Sequence, residues 1–190
     1  MNRTRAWLAL VFVPAAALAT PPDPAGSPFA AAVDAEISQL EKQLVALAEA
    51  MPPERFDFTP ESLRIPGSDL AGVRTFAAQV RHVAADNFAI WAPISGKSEP
   101  AGTDAPNGPA GMTSRTEILD FLRRSFAFAH EAARHLTAEN ATELVDFRGR
   151  QVTRLSLVVL GFTHAMDHYG QMVEYLRLSG TAPPGSRPRK

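Results

Sequence analysis

An all-α fold, a four-helix bundle in one domain, is the class that this 190-residue chain predicts. Three observations carry it. Four long stretches place apolar side chains at helical spacing. Segments rich in Gly and Pro separate them. No stretch shows the period-2 alternation of a half-buried strand.

The first helix is expected over residues 29–50, where Val33, Ile37, Leu40, Leu44 and Leu47 share a face and Met51-Pro52-Pro53 stops the run. Residues 54–67 read as an irregular connection. The second helix is expected from Ser68, a cap-type residue, to Trp91, with Pro93 ending it. Its main stripe is Val73, Ala77, Val80, Ala84 and Trp91. His82 lies instead along a line of small residues, Ala71, Ala78, Ala85 and Ala89. Because this helix is apolar nearly all round, that line is expected to face a neighbouring element. Residues 95–111, rich in Gly, Pro and Ser, form a loop. Ser114-Arg115-Thr116-Glu117 is a capping box for a third helix running to about Leu136. The fourth starts near Thr153 and closes at Gly180, with Pro183 and Pro184 beyond it.

The N-terminus stands apart from this pattern. Arg3 and Arg5 precede an apolar run from Ala6 to Ala19 that ends in small residues, with Ala17-Leu18-Ala19 as the cleavage motif. That is the layout of a secretory signal, and the run is short for a retained membrane anchor. The expected organisation is therefore signal peptide 1–19, Pro-rich linker 20–28, bundle 29–184 and a flexible basic tail 185–190. Removing the signal takes Arg3 and Arg5 with it, leaving 17 basic against 20 acidic residues, a net charge of −3. No basic patch suggests nucleic acid. The chain has no cysteine, so any metal site must use imidazole and oxygen ligands.

The chemistry concentrates in Thr163-His164-Ala165-Met166-Asp167-His168-Tyr169-Gly170-Gln171. Residues i and i+4 project from one helix face, so His164 and His168 can share a divalent ion. Val158, Phe162, Ala165, Tyr169, Met172 and Leu176 form the apolar stripe of this helix. Leu157, Gly161, His164, His168, Gln171 and Tyr175 flank it, and Asp167 points the other way. Spacing and face leave two readings open: a shared metal, or two core histidines each bonded to a neighbour. His82, taken alone, reads as a histidine filling a gap.

Four segments together resemble the DinB-like superfamily of metal-binding four-helix bundles. They are residues 48–60, Arg81-His82-Val83-Ala84-Ala85-Asp86-Asn87, Arg115-Thr116-Glu117-Ile118-Leu119, and His164 to Gln171 followed by Tyr175-Leu176-Arg177, Gly180 and Pro183-Pro184. The resemblance spans about residues 30–184. It implies three metal ligands: His82, His164 and His168. Three imidazoles would leave an open coordination position, as catalytic sites do. Zinc or nickel suits such a donor set. The superfamily includes thiol-cofactor-dependent transferases and isomerases and many members with no assigned reaction; such thiols are mainly cytosolic, so export weakens that branch for this chain.

Two functional classes follow. One is an exported metal-dependent enzyme of hydrolase or transferase type acting on an unknown small molecule. The other is a non-catalytic, metal-stabilised bundle serving as a binding module. Neither involves nucleic acid, or a membrane once the signal is removed, and either is compatible with a homodimer. Asp86, Asn87 and Gln171 are candidates to hold a ligand's second ring nitrogen. His130 and His135, five residues apart, share no face and read as exposed or capping. Trp91 and Tyr169 read as core. No serine or carboxylate pair presents itself as a nucleophile or general base, so no catalytic side chain is assigned.

Overall fold

The computed structural model describes residues 26–103, 105–109 and 111–186. The expected signal peptide and most of the linker therefore lie outside the described residues. Four helices dominate: α1 (Pro28–Ala50), α2 (Phe76–Ser95), α3 (Arg115–Ala133) and α4 (Arg154–Leu178). Helices α1 and α2 each pack against both α3 and α4, so α1 and α2 sit on one diagonal of the bundle and α3 and α4 on the other. Leu44, Leu47, Phe76, Leu122, Leu157 and Met172 are fully buried between them. The stripe expected on α4 is the one buried: Val158, Ala165, Met172 and Leu176 are closed off, while Thr163, Asp167 and Glu174 face solvent. No described helix is long and apolar enough to cross a membrane.

Three local expectations need correction. Helix α2 begins after Thr75, not Ser68, so Ala71 and Val73 lie outside it. A helix start must satisfy its first N–H groups. Here Phe76 N and Ala77 N donate to Phe58 O and Phe56 O, both at 2.9 Å, and Ala78 N donates to Thr75 Oγ1. Ser68 instead closes a turn on Ile65 O. The far end also differs. Pro93 sits inside α2, which continues to Ser95 before Gly96, at φ 69°, turns the chain. Only the last turn lacks the proline's donor, and buried Trp91, Ala92 and Ile94 hold that turn against the core. Finally, Ser114 does precede α3 but makes no side-chain capping bond, and α3 ends at Ala133, short of Leu136.

These caps yield a paired test. Thr75→Ala should cost about 1 kcal/mol of folding stability, the usual worth of a working N-cap. Ser114→Ala, with no capping bond to lose, should cost no more than a few tenths. Urea denaturation of both variants checks the contrast, and equal losses would refute it.

A two-stranded antiparallel hairpin, β1 (Leu144–Phe147) and β2 (Arg150–Thr153), precedes α4. It corrects the expectation of no strands. The signal was short but present: Leu144 and Asp146 are exposed, while Val145 and Phe147 are half-buried against the core. Arg148 and Gly149 turn the hairpin with φ 53° and 77°. Two consecutive positive φ values mark the tight turn whose twist suits paired strands. The hairpin rests on α2 and α4. Residues 53–67 contain two 3-10 turns, Pro53–Arg55 and Pro60–Leu63, and a third, Pro184–Ser186, reaches into the stretch expected as a basic tail.

Candidate metal centre

Helix α2 supplies His82, and α4 supplies His164 and His168. The two helices can approach because α4 carries Gly161 where α2 presents Trp91. A Cβ added there would lie only 3.1 Å from Trp91 Cζ2. Trp91 is buried, so its ring has little room to yield. Gly161→Val should therefore cost about 2 kcal/mol of stability through overpacking. By prising α4 from α2 one turn from His164, it should also weaken metal binding. Thermal denaturation with and without metal tests both effects; wild-type values would show that the contact does not set the helix spacing.

The structure brings the three histidines together. One ring nitrogen from each lies within 4.8 Å of the others. His82 Nε2 and His164 Nε2 face each other at 3.2 Å. Two ligands of a tetrahedral zinc ion, at bond lengths of 2.0–2.1 Å, stand about 3.3 Å apart. The ring of His168 lies edge-on to both others, with centroids 4.7 Å from His82 and 4.5 Å from His164.

The neutrality of two rings and the contact of His82 with Pro106 agree with a ligand role. His82 Nδ1 faces the Pro106 carbonyl in hydrogen-bonding contact. A proton on Nδ1 would donate to that oxygen and leave Nε2 free as a donor atom for metal. His164 Nδ1 and His168 Nδ1 are buried with no hydrogen-bond partner among the described residues. The core-histidine reading needs each ring bonded to a neighbour: His164 has one through Nε2, at Asp86, whereas His168 Nδ1 has none. Burial, with His164 and His82 alongside, lowers His168 to about pKa 4. Burial also lowers His82, against the raising effects of the Pro106 carbonyl and Asp86. At pH 7 both rings are therefore neutral, the form that binds metal.

Of the three residues expected to hold a ring's second nitrogen, none does so. Asn87 donates to Ser125 Oγ at 3.1 Å, away from the histidines. Gln171 accepts from Gln79 and donates to Asp167. Asp86 is at the site, but on the opposite side from that expected: its Oδ2 lies 3.0 Å from His164 Nε2. Burial opposes its ionisation, yet hydrogen bonds with His164 and Arg148 outweigh it and hold the carboxyl at about pKa 2. Sequence reasoning missed Pro106 and Arg148 altogether. Both sit on connecting segments, where no periodicity points inward. A cavity of about 410 Å³ is lined among others by His82, Asp86, Thr103, Pro106 and Arg148, though not by His164 or His168.

The other histidine pair does not join them. His130 is bonded through Nδ1 to Asp34 at 2.6 Å and through Nε2 to Glu41 at 3.2 Å. It ties α3 to α1, neither exposed nor capping as expected. His135 lies just beyond α3.

The family model of the DinB superfamily matches residues 36–172. Two solved structures share the fold. A DinB-like protein from Bacillus cereus is 24% identical, with a TM-score of 0.58 over 84% of this chain and 95% of its own. A DinB-like protein from Bacillus subtilis is 19% identical, with a TM-score of 0.59 over 84% of this chain and 99% of its own. A comparison with curated proteins gives no match.

Proposed function

Since the chain belongs to the DinB superfamily, we propose that it is an exported metal-dependent enzyme. His82, His164 and His168 hold one divalent ion, zinc or nickel, for hydrolase- or transferase-type chemistry on a small molecule. The observation that carries this reading is the convergence of three ring nitrogens within 4.8 Å of one another, one of them on His82, which lines a cavity. A divalent ion held there supplies Lewis-acid activation of a water or of a substrate oxygen or thiol. The chain's own part is to keep His82 and His168 neutral by burial, to orient His82 through Pro106, and to admit substrate through the cavity. Export rests on the Arg-flanked apolar run ending at Ala19.

A second reading, a metal-stabilised bundle without catalysis, is favoured by one observation. Asp86 Oδ2 stands where a closed site would place its last ligand. The two readings separate in one experiment. Protein purified without an affinity tag is assayed for metal, then screened for hydrolysis and thiol transfer as isolated, chelated and reloaded. One equivalent of zinc or nickel with activity that follows the metal supports the enzyme. Metal without activity supports the bundle, and no metal overturns both. N-terminal sequencing from the native host should find the mature chain starting near Thr20; soluble cytoplasmic protein that retains Met1 would overturn export.

A further inference from the structure

We propose that Asp86 is a fourth protein ligand of the ion held by His82, His164 and His168, steered into place by Arg148 from the β1–β2 hairpin. This rests on the metal reading above. A carboxylate that merely orients a metal-binding histidine sits at the ring nitrogen away from the metal. Asp86 does the reverse. Its Oδ2 lies 3.0 Å from His164 Nε2 and 3.7 Å from His82 Nε2, and those two nitrogens are 3.2 Å apart. These separations define a triangle whose corners all lie about 1.9 Å from one common point. Zinc–nitrogen and zinc–oxygen bonds are about 2.0–2.2 Å, so these three atoms stand at separations that one ion could hold.

The second oxygen of Asp86 is held by another element. Arg148 donates to Asp86 Oδ1 at 2.8 Å. This arginine occupies φ 53° at the hairpin tip, a backbone conformation L-residues rarely adopt and one that Asn or Gly would occupy more easily. From that position its guanidinium reaches Asp86. With Oδ1 so engaged, Oδ2 is left facing the two Nε2 atoms. Asp86 and His82 stand four apart on α2, so one helix face supplies both.

With a ring nitrogen of His168, which converges with those of His82 and His164, the donor set would be three nitrogens and one carboxylate oxygen. A tetrahedral ion would be closed by these four. An ion of higher coordination number, such as nickel, would keep positions for substrate.

Cobalt(II) titration of the chelated full chain, followed in the visible region, tests the proposal, because the cobalt bands depend on which atoms bind the ion. Wild type, Asp86→Ala and Arg148→Asn are compared. Asp86→Ala should shift the bands and lower affinity at least about tenfold. Arg148→Asn suits the turn, so it should weaken binding without unfolding the hairpin and leave the bands in place. Bands identical in wild type and Asp86→Ala would overturn the ligand role while leaving the three-histidine site standing. Unchanged affinity in Arg148→Asn would overturn the steering role. A wild type that binds no cobalt would instead overturn the metal site itself.

Discussion

His168→Ala is expected to lower divalent-metal affinity by more than about a hundredfold, whereas His130→Ala leaves it unchanged. The size follows from the role. Losing a group that only supports a ligand costs roughly 10–100-fold, so losing one of three imidazoles should exceed that range. The control is well matched, because His130 is also a partly buried histidine, but its nitrogens serve Asp34 and Glu41 on α1. Metal should also raise the melting temperature of wild type, since the ion binds only the folded chain in which α2 and α4 bring the rings together. Calorimetric titration of chelated wild type and both variants provides the check. Equal affinities in all three would remove the main support for a metal centre.

The metal-free protein should lose about 3 kcal/mol of folding stability as pH falls from 6.5 to 4. His168 drives this. Its pKa is 6.5 when the chain is unfolded and about 4 when burial and the neighbouring histidines suppress its charge. Between those values the unfolded chain binds the extra proton, so stability falls with pH. His82, lowered chiefly by burial, adds to the loss in the same direction. Asp86 acts in a separate, more acidic window. Its carboxyl, at about 2 when folded against 3.8 unfolded, contributes about 2 kcal/mol that disappears only as pH falls from 3.8 to 2. Urea denaturation with chelator at several pH values tests the profile. His168→Gln, which cannot take up that proton, should flatten the upper window. A profile that was flat in wild type would mean that His168 is not held neutral by the fold.

Local regularities made much of this protein legible. The apolar periods of residues 29–50 and 153–178 translate directly into buried faces, because a helix repeats its contacts every turn. The i, i+4 spacing of His164 and His168 is likewise a property of one helix. His82 was different. Its helix is apolar nearly all round, so periodicity could not say which side faced α4, and only resemblance linked it to the other two.

Long-range contacts decided the rest. Ser68 and Thr75 are both cap-type residues, and the choice fell to Thr75 because Phe56 and Phe58 offer their carbonyls to the first turn of α2 there. Pro93 would ordinarily end a helix, but burial of its neighbours carried the last turn through. Asp86 looked suited to supporting a ring from behind. Instead its Oδ2 faces His164 Nε2, while its Oδ1 accepts from Arg148 on a hairpin sixty-two residues away in the chain. Pro106 reaches His82 from a loop with no pattern of its own. Sequence alone determined the four helices, apart from the ends of α2 and α3, and two of the three clustered histidines, because those depend on neighbours within a turn or two. The polar surroundings of the site came only with the tertiary structure, because backbone carbonyls and single side chains on connections carry no periodic signal until packing brings them into place.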